Sequence, residues 1–368
     1  MAFDLFSAFK GKRILVTGHT GFKGSWLVSW LTAIGAEVVG VSLQDAPTEP
    51  SHFEEAGLKD KITDRRLDIC NFEKLNKAVS EIRPEIVFHL AAQSLVRHSY
   101  NAPIETFHTN VIGTAHILEC LRQLAHPCTA VIITSDKCYA NVEWTWGYRE
   151  NDRLGGYDPY SASKSAAEMI VKSYVESFFP KGGSIRIGIA RAGNVIGGGD
   201  WAEDRVVPDC FRCWAKNKDV EIRSPEATRP WQHVLEPLGG YLTLALALVE
   251  SDKLHGEPFN FGPVSDQNCS VKELVSGLAN YWHQASWKDV SENPGDKYES
   301  GLLKLNCDKA LHQLDWRPTL FLDETIQLTA EWYKHFYAGD KSVADVTTAQ
   351  IAEYDRLTKE RRRKKNLQ

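Results

Sequence analysis

The run Ile14-Leu-Val-Thr-Gly18-His-Thr-Gly21-Phe-Lys-Gly24 restricts the possible folds of this chain more than any other segment. A buried strand leads into a glycine-rich turn, and the turn opens a helix. Gly18 permits the tight turn, Gly21 lets backbone N–H groups approach an anion without an intervening Cβ, and Gly24 allows the helix to pack close to the strand. The partial positive charge at the helix N-terminus completes a seat for the pyrophosphate of a dinucleotide. Glycine spacing alone is weak evidence, and the strand before it and the helix after it give it meaning.

A strand–turn–helix of this kind needs a parallel sheet around it. From residue 13 to 190 short β-branched runs alternate with longer helical patterns, the mark of a doubly wound α/β fold. Strands are expected over 13–16, 37–43, 86–90, 130–134 and 184–190. Helices are expected over 24–34, 103–125 and 159–179, with another before Pro84 where Phe72, Leu75, Val79 and Ile82 recur at helical spacing. After Ala190 the pattern loosens into Gly-, Pro- and Trp-rich segments that read as a smaller substrate lobe. The expected division is a Rossmann domain over 1–193 with returns near 230–262, a substrate lobe over 194–229 and 263–350, and a basic tail over 351–368. The charge run 359–365 in that tail reads as a solvated, frayed helix end.

Composition narrows the partners. A net charge of −5 with dispersed basic residues gives no footprint for nucleic acid, so a small molecule is the expected partner. The N-terminus lacks a basic, apolar leader pattern, and no segment reaches eighteen uninterrupted apolar residues, so neither export nor a membrane span is expected and the cytoplasm is. The eight cysteines form no disulfide framework. Cys210 and Cys213 make one isolated C-x-x-C, no H-E-x-x-H is present, and no metal is expected.

Chemistry concentrates around two segments. Tyr160 and Lys164 lie four apart at the start of a helix, hence on one face, where an ammonium would stabilise phenolate and let the phenol remove a hydroxyl proton. The strand ending at Thr134 runs into Ser135-Asp136-Lys137, and ligands in open α/β sheets sit beyond the carboxyl ends of strands. Ser135 is thus placed to hydrogen-bond a reacting oxygen, with Asp136 and Lys137 as further acid–base groups. Ser42, where an acidic residue often stands, can bond a ribose hydroxyl, which favours NAD over NADP. Arg65 and Arg66 are near enough in sequence to leave a 2′-phosphate open.

These residues resemble the extended short-chain dehydrogenases that modify nucleotide sugars. The resemblance runs from about residue 12 to 318 through T-G-H-T-G-F-K-G, Leu67-Asp68-Ile69, Leu90-Ala91-Ala92-Gln93, Thr109-Asn110, T-S-D-K-C-Y, Y-S-A-S-K, Ala190-Arg-Ala-Gly-Asn194 and Arg229-Pro-Trp-Gln-His233. It implies that Gly18, Gly21, Phe22, Lys23, Gly24, Ser42, Asp68, Ile69, Leu90, Ala91, Ala92 and Thr109 hold NAD together with Tyr160 and Lys164. It also implies that Gln93, Asn194, Arg205, Arg229 and Tyr298 hold a nucleotide sugar, CDP-glucose, in a homodimer, or a dimer of such dimers, paired through the helices near 103–125 and 159–179. The implied reaction is a 4,6-dehydration: oxidation at C4, loss of water across C5 and C6 with Asp136 as acid, and hydride return to C6. Related dehydratases carry Glu near the position of Lys137, so this lysine is either a neutral base or a cation stabilising the enolate. A 4-epimerase would share the cofactor site without needing an acid at C6, and a non-catalytic NAD sensor would share only the binding residues.

Overall fold

The structure, a computed structural model, describes residues 8–264, 267, 269–291 and 302–365. The sheet has seven strands, all parallel. These are β1 (Arg13–Thr17), β2 (Glu37–Ser42), β3 (Thr63–Arg66), β4 (Ile86–His89), β5 (Cys128–Ile133), β6 (Ile185–Arg191) and β7 (Pro258–Asn260), in the order β7-β6-β5-β4-β1-β2-β3. Successive side chains point to opposite faces, so each central strand feeds two cores. Ile14 and Val16 join one with Val131 and Ile133, whereas Leu15 joins the other with Ala130 and Ile132. Both faces are therefore apolar, as a sheet with helices on either side requires.

Local chemistry sets the helices that matter for the site. Helix α1 (Phe22–Ile34) stops at Gly35, whose φ of 87° is the left-handed cap that a glycine adopts at least cost. Helix α2 (Phe72–Ile82) turns Leu75, Ala78, Val79 and Ile82 to the core. Over 103–125 the expected single helix is broken into Pro103–Phe107, a π-helical turn His108–Ile112, and α3 (Gly113–Arg122). Asn110, in the π turn, points inward and donates to the Gln93 carbonyl at 3.0 Å and to Ser163 Oγ at 2.8 Å. Helix α4 (Pro159–Phe178) opens on Asp158, which accepts from the Ser161 N–H at 2.9 Å, with Pro159 at its first position.

Later chain segments return to the sheet: α5 (Leu235–Glu250) packs on β5 and β6, and β7 pairs with β6. Strand β3 was not expected, because Thr-Asp-Arg-Arg has no apolar alternation. It survives as a polar edge held only by β2. Of the segment expected as a basic tail, the part before the charge run packs into the protein, while Lys359 and Lys364 of the run stay exposed at a helix end. After α6 (Leu322–Ala338), α7 (Val343–Lys365) lies along α1 and α6 with Ile351 and Tyr354 buried. Tyr354 donates to buried Glu236 at 3.0 Å, and Arg361 bonds Glu324 at 2.6 Å, so part of the charge run serves to dock this helix.

Candidate active site

A cleft of about 1190 Å³ runs along the carboxyl ends of the strands and past residues 200–209 and 220–224. Gly18, Gly21, Phe22, Lys23, Gly24, Ser42, Asp68, Ile69, Leu90, Ala91, Ala92 and Thr109 line it, as do Ser135, Asp136, Lys137, Tyr160, Lys164, Asn194, Arg205 and Arg229. Gln93 does not. Its amide donates to the Leu95 carbonyl at 3.1 Å and to Thr106 Oγ1 at 2.9 Å, and its Oε1 accepts from the Leu95 N–H at 2.5 Å, so it is spent on holding its own loop. Tyr298 lies outside the described residues.

The glycine turn is built for close approach. A Cβ on Gly18, where φ is 74°, would stand 2.7 Å from the Ala91 backbone nitrogen, and one on Gly24 would collide with the Gly18 carbonyl. Among the described residues no side chain caps the N-terminus of α1, and its first turn holds no acidic residue. Its leading N–H groups thus remain available to an anion. Arg65 and Arg66 are committed elsewhere. Arg65 pairs with Glu81 at 2.6 Å, while Arg66 bonds both Asp64 oxygens and the carbonyls of Leu43 and Gln44, and stacks on Phe53.

Where β5 ends, a short 3-10 turn turns its side chains into the cleft. Ser135 Oγ donates to Asp136 Oδ1 at 2.9 Å and accepts the Lys137 N–H at 3.2 Å. Asn194 Nδ2 donates to Asp136 Oδ2 at 3.2 Å from a backbone with φ of 53°, and Lys137 Nζ lies 4.0 Å from Asp136 Oδ1. Gly193 has no room for a side chain because the Asp136 carboxylate fills the space. The cap on α4 sets Tyr160 and Lys164 opposite this turn, both buried.

Burial pushes the Tyr160 phenol up to about 12 despite a hydrogen bond with Ser135 that pulls it down. Burial and the neighbouring Lys23 bring Lys164 down to about 7; burial and Arg205 bring Lys23 down to about 8. In the protein alone desolvation outweighs the groups that pull Tyr160 down, Ser135 and Arg205, and Lys164, expected to lower it, is not among the leading groups that act on it.

A lysine depressed in this way costs stability fully below pH 7, and the cost fades as pH rises toward its ordinary value of 10.5. Lys164→Met is therefore expected to stabilise the ligand-free protein more at pH 6 than at pH 9, by about 2 kcal/mol. Paired urea unfolding curves of variant and parent at the two pH values test this; an equal gain at both would mean that Lys164 titrates normally.

Sequence reasoning missed other members of the site. Lys23, expected only at the dinucleotide, is also electrostatically coupled to Lys164, Asp136 and Asp200. Asp200 holds Arg205 at 2.7 Å, and Asn110 fastens the turn beneath the cleft to α4. Asp200 follows a glycine run and carries no spacing signal; Asn110 stands in the Thr109-Asn110 part of the family resemblance, which assigned it no role. No group of His, Cys, Asp and Glu able to hold a metal occurs among the described residues.

Residues 15–329 match the family described as GDP-mannose 4,6 dehydratase. The chain is similar to the CDP-glucose 4,6-dehydratase of Salmonella typhimurium, 49% identical over 90% of this chain and 93% of that one. It is 26% identical to the human dTDP-D-glucose 4,6-dehydratase over 90% and 93%. Among solved structures, a Thermotoga maritima UDP-glucose 4-epimerase superposes with a TM-score of 0.74 at 25% identity, covering 88% of this chain and 99% of that one. A Bacillus anthracis dTDP-glucose 4,6-dehydratase in complex with NAD gives 0.73 at 21% identity, covering 87% and 96%.

Proposed function

Because the chain belongs to the GDP-mannose 4,6 dehydratase family, we propose that it converts CDP-glucose to CDP-4-keto-6-deoxyglucose with NAD as its resident cofactor. The observation that carries this reading is the 49% identity to the Salmonella CDP-glucose 4,6-dehydratase across nearly the whole chain. The glycine turn and the uncapped start of α1 fit the pyrophosphate of a dinucleotide, Ser42 fits its ribose, and Asp68 with Ile69 lines the cleft where the adenine would lie.

Bound NAD supplies the two-electron acceptor at the sugar C4 and the donor at C6. Tyr160 accepts the proton of the C4 hydroxyl, and Ser135 favours the phenolate by turning its one hydroxyl proton from Asp136 to the phenolic oxygen. Asp136, as the carboxylic acid, delivers its proton to the departing C6 hydroxyl, which leaves as water, and Asn194 holds the carboxyl group in place. The 4-keto group makes the C5 hydrogen acidic, and Lys137 is the group set beside Asp136 to meet it. A neutral Lys137 takes the C5 proton, and a charged one stabilises the enolate. Arg205 and Arg229 face the nucleotide diphosphate.

The deciding experiment incubates the protein with CDP-glucose and NAD in heavy water. A product lighter by one water with solvent deuterium at C5 supports the dehydratase. An unchanged mass with an inverted hydroxyl would overturn it in favour of an epimerase, and inertness toward CDP-, dTDP-, GDP- and UDP-sugars would favour a sensor.

Among the described residues, Arg65 is paired with Glu81 and Arg66 with Asp64, so a 2′-phosphate would have to displace one of these partners to gain a guanidinium. NADP is expected to bind about 10- to 100-fold more weakly than NAD, as calorimetric titration would read. Homodimerisation draws support from exposed Ile104 and Ile112 beside α3, and Met169 and Phe178 on α4. Sedimentation equilibrium tests it. Among the described residues no helix is long and apolar enough to cross a membrane, and eight free thiols suit a reducing compartment such as the cytoplasm.

A further inference from the structure

Three charged side chains outside the chemistry above meet at the rim of the cleft. Arg97 Nη1 and Arg223 Nη2 each lie 3.2 Å from the same oxygen, Asp204 Oδ1. Arg97 sits on the short helix Val96–Asn101 of the dinucleotide-binding half, and Arg223 follows the strand Val220–Ile222 of the smaller lobe. Asp204 rides on the loop just before the helix Val206–Trp214. All three line the cleft, and their side chains are 38% to 45% exposed, open enough for a ligand to exchange with them.

The charges do not balance within this group. Arg205 is paired with Asp200 at 2.7 Å and Arg212 with Asp209 at 2.5 Å, so Arg97 and Arg223 are left to share one carboxylate. Asp209 is the other acid here that feels Arg223, and it is already tied to Arg212. Two forks on one oxygen at 3.2 Å are longer than ordinary charge-assisted bonds. A diphosphate brings two negative charges and enough oxygens to give each guanidinium its own partner. Asp204 also keeps its place with φ at 58°, the left-handed region that residues with side chains seldom occupy.

We propose that Arg97 and Arg223 form an anion-capture site at the cleft rim, and that Asp204 is a displaceable plug which yields to the diphosphate of the entering substrate before that diphosphate passes to Arg205 and Arg229. The identity of that substrate rests on the function proposed above, but the anion chemistry does not. Inorganic diphosphate is therefore the first probe, and CDP the second.

In low salt, Asp204→Asn is expected to tighten inorganic diphosphate binding about 3- to 5-fold in calorimetric titration, because a competing exposed ion pair is removed. Adding Arg223→Gln or Arg97→Gln to that variant is expected to abolish the gain, and raising salt to shrink it. Each arginine variant alone is expected to weaken CDP binding about 5-fold. A weaker or unchanged affinity in Asp204→Asn would make Asp204 a plain tie between the lobes and overturn the proposal, as would a gain that survives loss of both arginines. Failure of the parent protein to turn over CDP-glucose, with the diphosphate response intact, would count against the proposed function alone.

Discussion

Tyr160→Phe is expected to leave cofactor binding nearly unchanged and to lower kcat by about 10³-fold. The ring is buried against the turn at Ser135, so Phe fills the same space and only the hydroxyl is lost. In the proposed mechanism that hydroxyl takes the C4 proton, and its removal should stop the reaction before any water is eliminated. Steady-state rates with CDP-glucose, set beside a calorimetric titration with NAD, separate chemistry from binding. A fall in kcat of less than tenfold would remove Tyr160 from the proton path. Tyr139 could not simply take over, since its hydroxyl donates to Asn260 at 2.8 Å and accepts from Arg191 at 2.6 Å in the core.

The central strands and the helices around the site were legible because buried parallel strands and helix caps leave local marks in the chain. Gly18, Gly21 and Gly24, and the Asp158-Pro159 start of α4, announce themselves within a few residues of the groups they place. Strand β3 left no such mark, because an edge strand of Thr, Asp and Arg is stabilised by its neighbour rather than by its own apolar pattern. The docked part of the C-terminal helix was misread for a related reason: the helix's positive charges hide the buried stripe of Ile351 and Tyr354, which is defined by contacts to α1 and Glu236 more than a hundred residues away. Gln93 follows Ala91 and Ala92 in the chain yet turns away from the cleft, since adjacency says nothing of side-chain direction. Neither the pairing of Arg97 with Asp204 nor the depression of Lys164 could be read from spacing, because both arise from groups that only the fold brings together.

Glu168→Ala is expected to destabilise the protein by about 3–5 kcal/mol, the usual cost of stranding one member of a buried ion pair. Glu168 and Arg191 are each 2% exposed in their side chains, and Arg191 Nε reaches the two Glu168 oxygens at 2.7 and 3.0 Å, with Nη2 closing the second arm. Thr134 Oγ1 donates to Glu168 at 2.7 Å, while Arg191 Nη1 also donates to Tyr139 Oη and to the Glu150 carbonyl. Tyr160, Lys164 and Glu168 follow one another at four-residue steps, so this pair anchors the face of α4 that carries the site to the ends of β5 and β6. Glu168→Gln keeps one acceptor oxygen for Thr134 Oγ1 and Arg191 Nε, sets its NH2 against the Arg191 Nη2 donor and removes the charge, and is still expected to lose less than the alanine variant in urea unfolding. Glu168 also holds the Lys164 proton on, so in the glutamine variant Lys164 should titrate below its value of about 7 in the parent. A glutamine variant as unstable as the alanine one would mean that the carboxylate charge is indispensable to the anchor. An alanine variant that unfolds at the parent's urea concentration would mean that Arg191 finds water or other partners, and that α4 is held by its apolar packing alone.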